Sequence, residues 1–210
     1  MSYLTYQGKM LQSTHKYLIN TAVIIPGEIN LITSGDGVDF ASLPDVTGNK
    51  TITMDLWLND TSSNMYVAFS AGGQPGDFLL VTYGVIPELG QVHLSVHTKN
   101  SPSLVRKAYN ISAYLNQMLT LEIVKTSSAI TSVKANGNTL TNFGSLFFDN
   151  TGGPFYYVRG DHNASIWNLE IVGSHKWIGY PYGNTNGAWL DTIGINHGTI
   201  AGTPGTRNLF

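Results

Sequence analysis

The feature that most constrains the fold is an alternation of apolar and polar residues with a period of two. It is clearest over residues 50–59, where one face of an extended chain carries Ile52, Met54, Leu56 and Leu58. Successive side chains of a strand point to opposite faces, so this pattern predicts a half-buried strand. Similar patterns or short apolar runs predict further strands at residues 65–70, 78–83, 91–98, 119–125, 130–135, 155–159 and 165–172.

Turn signals are frequent, whereas helix signals are weak. The best helix candidate, residues 112–117, is only about one or two turns long. Asn136 and Gly137 stand between two apolar runs, and this pair tolerates the positive φ angles of a tight hairpin. Short strands separated by Gly, Pro and Asn turns indicate an all-β fold, an antiparallel β-sandwich or jelly roll. With 42% hydrophobic residues the chain can bury a core.

The chain divides into three segments by composition. Residues 1–27 form an amphipathic lead-in, which we interpret as an attachment or assembly segment. Residues 28–173 contain the alternating runs and form the sandwich. Residues 174–210 are rich in Gly, Asn, Thr and Pro, and we expect a loop-rich extension packed on the sandwich or on a neighbouring subunit.

Charge and composition exclude several classes of function. Charged residues are 11% of the chain, the net charge is −2 and the basic residues are scattered, so we expect no nucleic-acid partner. The chain has no Cys, which excludes disulfides and thiolate sites. No apolar run approaches the ~20 residues of a membrane span, so we expect no membrane insertion. The first residues also lack the pattern of a signal peptide.

The acidic residues do not form an obvious catalytic pair. Glycoside hydrolysis needs two carboxyl groups facing each other, and residues i and i+2 share a strand face. None of the 13 acids has another acid two positions away. A glycan hydrolase would therefore need tertiary packing to bring together two of Asp55, Asp77, Glu122 and Glu170. The alternative is that these are solvent-facing strand residues, and we expect no enzyme activity.

One pair of acids suits a cation. Asp36 and Asp39 flank a glycine turn and are candidate calcium ligands, since calcium takes carboxylate and carbonyl oxygens. Asp149 with Asn150, and Asp161 with Asn163, are candidate companions. The alternative is that Asp and Asn only form the turns. No other cofactor is indicated.

Four aromatic residues cluster near the C-terminal end. They are Trp177, Tyr180, Tyr182 and Trp189, interleaved with Gly, Pro and Asn. Exposed rings beside polar residues suit stacking against a sugar, and they suit protein interfaces equally. The alternative is that the rings pin a weak C-terminal segment onto the sandwich.

The order of the motifs resembles that of laminin-G-like, concanavalin A-like domains. Three regions carry the resemblance: the "SGDGVDF" turn of residues 34–40 with the strand of residues 50–58, the hairpin of residues 133–140, and the strand within residues 160–172. The hairpin has Asn136 where the family usually has Asp. Over residues 30–172 the resemblance implies an antiparallel jelly roll of the concanavalin A-like type.

The two flanks resemble parts of bacteriophage structural proteins. Residues 3–18 are similar to the starts of small phage structural proteins, and residues 187–205 to tracts of virion proteins that bear such sandwiches. The resemblance implies a virion protein, a head decoration, fibre or tail component that attaches to other virion proteins. We expect a homo-oligomer in the virion that mediates attachment to a host cell-surface glycan. The alternatives are a carbohydrate-binding, lectin-like module and, third, a glycan hydrolase.

Overall fold

The computed structural model describes residues 4–6, 9–11, 29–31, 35–59, 64–70, 79–86, 91–99, 104–126, 129–148, 155–161, 164–178 and 188–202. The strands within them are β1 (Leu4–Tyr6), β2 (Lys9–Leu11), β3 (Ile29–Leu31), β4 (Gly37–Phe40), β5 (Lys50–Trp57), β6 (Asn64–Ser70), β7 (Leu79–Ile86), β8 (Gln91–Lys99), β9 (Leu104–Asn110), β10 (Met118–Lys125), β11 (Ile130–Ala135), β12 (Asn138–Thr139), β13 (Asn142–Phe148), β14 (Phe155–Asp161), β15 (Ala164–Ile171), β16 (His175–Ile178), β17 (Ala188–Asp191) and β18 (Gly198–Ala201). A 3-10 turn at Ser112–Tyr114 lies where the sequence offers its best helix candidate. None of the described residues forms a helix long and apolar enough to cross a membrane.

The strands form one large antiparallel sheet and one small hairpin. The hairpin is β1 with β2, and the other sixteen described strands are hydrogen-bonded into a single sheet. Along that sheet the order is β12-β11-β10-β5-β15-β16-β17-β18-β4-β14-β6-β7-β8-β9-β13, with β3 also paired to β15. We call the part from β12 to β16 sheet I and the part from β18 to β13 sheet II. β17 joins them, because it pairs with β16 on one side and β18 on the other.

The two sheets pack face to face around one hydrophobic core. β5 shows why: its inward residues Ile52, Met54 and Leu56 are fully buried, while the residues between them are half-buried. Strands of both sheets contribute to the same core cluster, including Val38 of β4 and Val158 of β14. The alternation in the sequence therefore builds two half-buried sheets that cover each other. The predicted all-β, antiparallel jelly-roll sandwich is confirmed.

The hairpin between β11 and β12 forms as the sequence predicts. Ala135 pairs with Asn138 across a two-residue turn, and Asn136 and Gly137 have φ angles of 49° and 81°. The Asn136 side chain also fastens this turn to β10. Its Oδ1 accepts from the N–H of Thr120 at 2.8 Å, and its Nδ2 donates to the carbonyl of Met118 at 3.0 Å. An ionised aspartate in this position could not donate the second bond.

A bulge in β15 changes which residues face the core. The pairing with β5 shifts by one residue between Ile166 and Asn168, so Trp167 is the extra residue. Ile166 and Leu169 are therefore both fully buried, although they would lie on opposite faces of a regular strand. The simple alternation predicted for this strand is wrong at this point. The consequence is that Asn168 faces outward beside Asp55.

The segment after residue 173 is more regular than its composition indicates. It contributes β16, β17 and β18, all paired within the large sheet. Trp177 and Trp189 are both fully buried, and the Trp177 ring lies 4.6 Å from Phe40 and 6.1 Å from Phe69 between ring centroids. The Trp177 indole N–H donates to the carbonyl of Asn196 at 2.5 Å. The two tryptophans pin this segment to the core.

We expect Trp177→Ala to lower the free energy of unfolding by about 3–5 kcal/mol, because truncating a buried aromatic side chain leaves a cavity. Ile195→Ala is the control, since Ile195 is 91% exposed and its truncation is expected to change stability by less than about 0.5 kcal/mol. Urea unfolding followed by far-UV circular dichroism measures both variants. Similar effects for the two would contradict the pinning role.

Candidate functional site

The candidate site is the outward surface of sheet I, on the side away from the core. β5 lies at its centre, between β10 and β15. Its outward residues are Thr51, Thr53, Asp55 and Trp57, all partly exposed. We call this surface, with the outward neighbours on β10, β11, β15 and β16, the outer face. The inward partners of the same strands form the core, so core packing fixes the outer face.

Four charged residues and one threonine form a row across five strands of the outer face. Directly paired positions run from Lys134 on β11 through Glu122, Thr53 and Glu170 to Lys176 on β16. We call these five residues the charge row. Lys134 Nζ lies 2.6 Å from Glu122 Oε1, and Lys176 Nζ lies 2.9 Å from Glu170 Oε2. Neighbouring strands are about 4.8 Å apart, so the two glutamate Cα atoms are roughly 10 Å apart.

The charge row keeps hydrogen-bonding capacity towards solvent. Each glutamate has one oxygen paired with lysine, and its second oxygen makes no hydrogen bond to any other described residue. Each ammonium likewise has three donors, of which its glutamate takes one. The side chains of Glu122 and Glu170 are 35% and 21% exposed. The row therefore presents alternating acceptors and donors at an accessible surface.

A second polar row lies beside the first. Asp55 pairs with Thr120 on β10 and with Asn168 on β15. Asp55 Oδ1 accepts from the Thr120 hydroxyl at 2.6 Å, and Oδ2 accepts from Asn168 Nδ2 at 2.9 Å. The next outward residue of β5 is Trp57, whose paired neighbour Met118 is 43% exposed. An aromatic ring thus borders the two polar rows.

A cavity borders the outer face at the other end of β5. Its volume is about 370 Å³, and it is lined by Asn49, Lys50, Thr51, Val124, Lys125, Thr126, Thr131 and Val172. Thr51 connects it to the charge row, because Thr51 and Thr53 share one strand face at a separation of about 7 Å. Val172 is 52% exposed, so the cavity offers an accessible apolar wall beside hydroxyl groups.

Three of the four candidate catalytic acids come together on this face. Glu122 and Glu170 lie on either side of Thr53, and Asp55 is the next outward residue along β5 after Thr53. Asp77 lies outside the described residues. Both glutamates are partly exposed, and each is ion-paired with a lysine. The arrangement brings hydrogen-bond acceptors and ammonium donors together on one accessible face.

Sequence reasoning missed the partners that complete this site. They are Trp57, Thr120, Lys134, Asn168 and Lys176. The alternation placed Asp55 and Trp57 on a polar strand face, which was a usable signal. The charge row, however, joins positions separated by up to 123 residues, and only strand order and register bring them together. The bulge at Trp167 also moves Asn168 onto the outer face.

The candidate calcium ligands do not converge. Asp36 is buried, whereas Asp39 faces outward from β4 with a 54% exposed side chain. Asp39 Oδ1 is ion-paired with Arg159 Nη2 at 2.5 Å, and the Arg159 guanidinium lies 5.1 Å from the Tyr157 ring centroid. No group of three or more His, Asp or Glu side chains in the described part of the chain could hold a metal ion. Asp149, Asn150 and Asn163 lie outside the described residues.

The two described members of the C-terminal aromatic cluster are not accessible to a sugar. Trp177 and Trp189 are fully buried, so neither ring is available to a glycan or a partner in this structure. This is a correction to the sugar-stacking hypothesis for these two residues. Its physical reason is that β16 and β17 point both rings into the core against Phe40. Tyr180 and Tyr182 lie outside the described residues.

A buried carboxylate organises the turn after β17. Asp191 Oδ1 accepts from the backbone N–H groups of Lys176, Ile193 and Gly194 at 3.0, 3.2 and 2.9 Å. Its Oδ2 lies 2.5 Å from His175 Nδ1. A Cβ atom at position 194 would collide with this carboxylate, so glycine is required there. Burial by itself raises the pKa of Asp191, but these hydrogen bonds outweigh it and lower the pKa from 3.8 to about 2.

Comparisons with known proteins find only a distant structural similarity. No family model matches the sequence, and no curated protein matches it. The structure is similar to a galectin of Caenorhabditis elegans, LEC-6, with a TM-score of 0.38 and 13% sequence identity. The similarity covers 69% of this chain and 95% of the galectin chain.

We expect Asp191→Asn to reduce stability at pH 7 by about 2 kcal/mol, the equivalent of the lowered pKa. A carboxyl group whose pKa is lower in the folded state stabilises the fold above its unfolded pKa. That contribution is lost as the pH falls from about 4 towards about 2. The difference between the two proteins should therefore narrow in this window, measured by urea unfolding at pH 7, 4 and 2.5. A constant difference would contradict the role of the ionised carboxylate.

Proposed function

We propose that the chain is a carbohydrate-binding domain that recognises a hydroxyl-rich glycan on the outer face of sheet I. The observation that carries this proposal is the charge row. Its glutamates and lysines offer acceptors and donors side by side, and a sugar hydroxyl group can donate to one and accept from the other. Hydrogen bonds to charged groups are the stronger ones, and they suit a ligand with many hydroxyl groups.

The charge balance supports a ligand without strong charge. Within the charge row each glutamate is neutralised by a lysine, so the row itself carries no net charge. Asp55 adds one negative charge, and both its oxygens are engaged by Thr120 and Asn168. Such a surface does not attract phosphate groups, and it does not favour a strongly acidic partner.

The aromatic ring of Trp57 beside the polar rows supports a sugar as the ligand. Sugar rings have apolar C–H surfaces as well as hydroxyl groups, and they bind where aromatic rings adjoin polar side chains. Trp57 is partly exposed beside Asp55, whereas the other three tryptophans are at most 7% exposed. The amide of Asn168 and the hydroxyl of Thr120 are held by Asp55, so the polar partners are already oriented before a ligand arrives.

We also propose that this face binds without catalysing a reaction. A glycoside hydrolase needs one protonated and one ionised carboxyl group on opposite sides of the bond that it cleaves. Glu122 and Glu170 project from the same face of one sheet, on either side of Thr53, and each contacts a lysine ammonium. Two carboxyl groups on one face of a sheet do not flank a ligand from opposite sides, as this reaction requires.

The charge row can be tested with Glu122→Gln and Glu170→Gln in one double variant. We expect glycan binding to weaken about tenfold or more, because a hydrogen bond to a charged group contributes about 1.5–3 kcal/mol. Stability should change by less than about 1 kcal/mol per ion pair, since both pairs are partly exposed. A glycan array identifies the ligand, and isothermal titration calorimetry compares the affinities.

Asp39→Asn provides the matched control for this experiment. Asp39 is also an ion-paired carboxylate on an outward strand face, but it belongs to sheet II. It should leave glycan affinity unchanged. Equal losses for the control and the double variant would argue against the charge row, and an array without any bound glycan would overturn the proposed function.

A second proposal is that the chain is a bacteriophage virion component that self-associates and acts in host attachment. Besides the flanking motifs, one structural observation favours assembly. The end of β17 and the turn that follows it expose Leu190, Ile193 and Ile195, which are 41%, 55% and 91% exposed. We call residues 190–195 the apolar turn. Clustered exposed aliphatic residues indicate an interaction surface, and we assign a second copy of this chain as its partner.

We expect a double variant, Ile193→Ser with Ile195→Ser, to weaken self-association at least tenfold. Burying an isoleucine side chain contributes about 1.5–3 kcal/mol, and each of the two substitutions removes that contribution from the contact between copies. Light scattering after size-exclusion chromatography over a range of concentrations measures the effect. Tyr66→Ser is the control, because Tyr66 is 43% exposed on sheet II. A monomeric wild-type protein at micromolar concentration would contradict this proposal.

A further inference from the structure

The cavity at the Thr51 end of β5 combines two kinds of surface. Val124 and Val172 supply aliphatic groups, and Val172 is 52% exposed. Thr51 and Asn49 supply a hydroxyl group and an amide group, and neither side chain makes a hydrogen bond to another described residue. The cavity therefore offers an apolar contact next to a free donor and a free acceptor.

The two lysines of the cavity are already engaged. Lys50 Nζ is ion-paired with Asp45 Oδ2 at 2.9 Å. Lys125 is buried, and its Nζ donates to the carbonyl groups of Val46 and Gly48 at 2.6 and 3.1 Å. Both ammonium groups thus serve to hold the loop before β5. A neutral polar group suits this cavity better than a carboxylate or a sulfate does.

We infer that the cavity receives the acetamido group of an N-acetylated hexosamine bound on the outer face. An acetamido group has a methyl group for the Val172 wall, a carbonyl oxygen that can accept a hydrogen bond and an N–H that can donate one. Asn49 and Thr51 are complementary to both polar atoms. This inference rests on the proposed glycan-binding function and specifies the class of sugar.

The position of the cavity fits such a ligand. Thr51 lies about 7 Å along β5 from Thr53, at the centre of the charge row. Val172 lies beside Thr51, because the Val172 N–H donates to the Thr51 carbonyl at 2.9 Å. A sugar whose hydroxyl groups contact the charge row therefore extends a substituent on one side of its ring into the cavity. A hexose with a hydroxyl group at that ring position has no methyl group to contact Val124 and Val172.

The test compares two matched pairs of sugars on the full chain. N-acetylglucosamine is paired with glucose and N-acetylgalactosamine with galactose, each coupled multivalently to the same carrier. We expect the acetylated member of a bound pair to bind about tenfold more tightly, since a small apolar group in a complementary pocket has at least this effect. Equal affinities, or tighter binding of the plain hexose, would overturn the inference while leaving the glycan-binding function intact.

Two nearly isosteric variants locate the effect within the cavity. Val172→Thr removes an aliphatic group, and Thr51→Val removes the hydroxyl group. Each should reduce the preference for the acetylated sugar several-fold. Thr199→Val, at an exposed threonine of β18 in sheet II, should leave the preference unchanged. Circular dichroism and thermal unfolding confirm that each variant is folded.

The outcomes separate the two claims. If both cavity variants keep the full preference, the acetamido group binds elsewhere and the inference is wrong. If neither member of either pair binds and the wider array is also empty, both the inference and the proposed function fall. A preference that disappears in Val172→Thr and Thr51→Val, with Thr199→Val unaffected, supports the inference.

Discussion

The register of β5 between β10 and β15 is the constraint on which the rest of the structure depends. Ile52, Met54 and Leu56 are fully buried on one side of this strand, and Thr53 and Asp55 lie on the other. A slip of one residue would expose the apolar set to water and bury the polar set, so burial fixes the register strongly. The same register aligns the charge row across five strands. The core and the candidate site are therefore two faces of one set of pairings.

The closure of the sandwich depends on the C-terminal strands. β17 pairs with both sheets, and the buried Trp177 of β16 contacts Phe40 and Phe69 of sheet II. Asp191 then fixes the following turn through its carboxylate, and Asn196 holds the loop before β5 by two hydrogen bonds with Ser42. Buried polar groups of this kind are expensive to leave unpaired, so a fully bonded network gives the turn one conformation.

Period-two alternation and short apolar runs predicted β5 to β8, β10, β11, β14 and β15, because a buried or half-buried strand leaves its pattern in neighbouring residues. They did not predict β9 or β13. The hairpin at Asn136 was equally local, since only the turn chemistry of two residues decides it. The outer face was not predictable in the same way. Glu122 and Glu170 are far apart in the sequence, and their common row depends on strand order, which no local pattern records. Trp177 was ambiguous for another reason, because an aromatic residue suits a core and a binding surface equally well.

The apolar turn and the charge row are connected through Lys176. Its backbone N–H donates to Asp191 Oδ1 at 3.0 Å, and its carbonyl oxygen accepts from the N–H of Thr192 at 2.7 Å. Its side chain meanwhile pairs with Glu170 at the end of the charge row. The residues that shape the proposed contact between copies thus also hold one end of the proposed glycan site. Self-association through the apolar turn would give one assembly two or more outer faces. Weak binding by each face would then add up to tight attachment on a surface with many glycans, because the second contact is made at a high effective concentration.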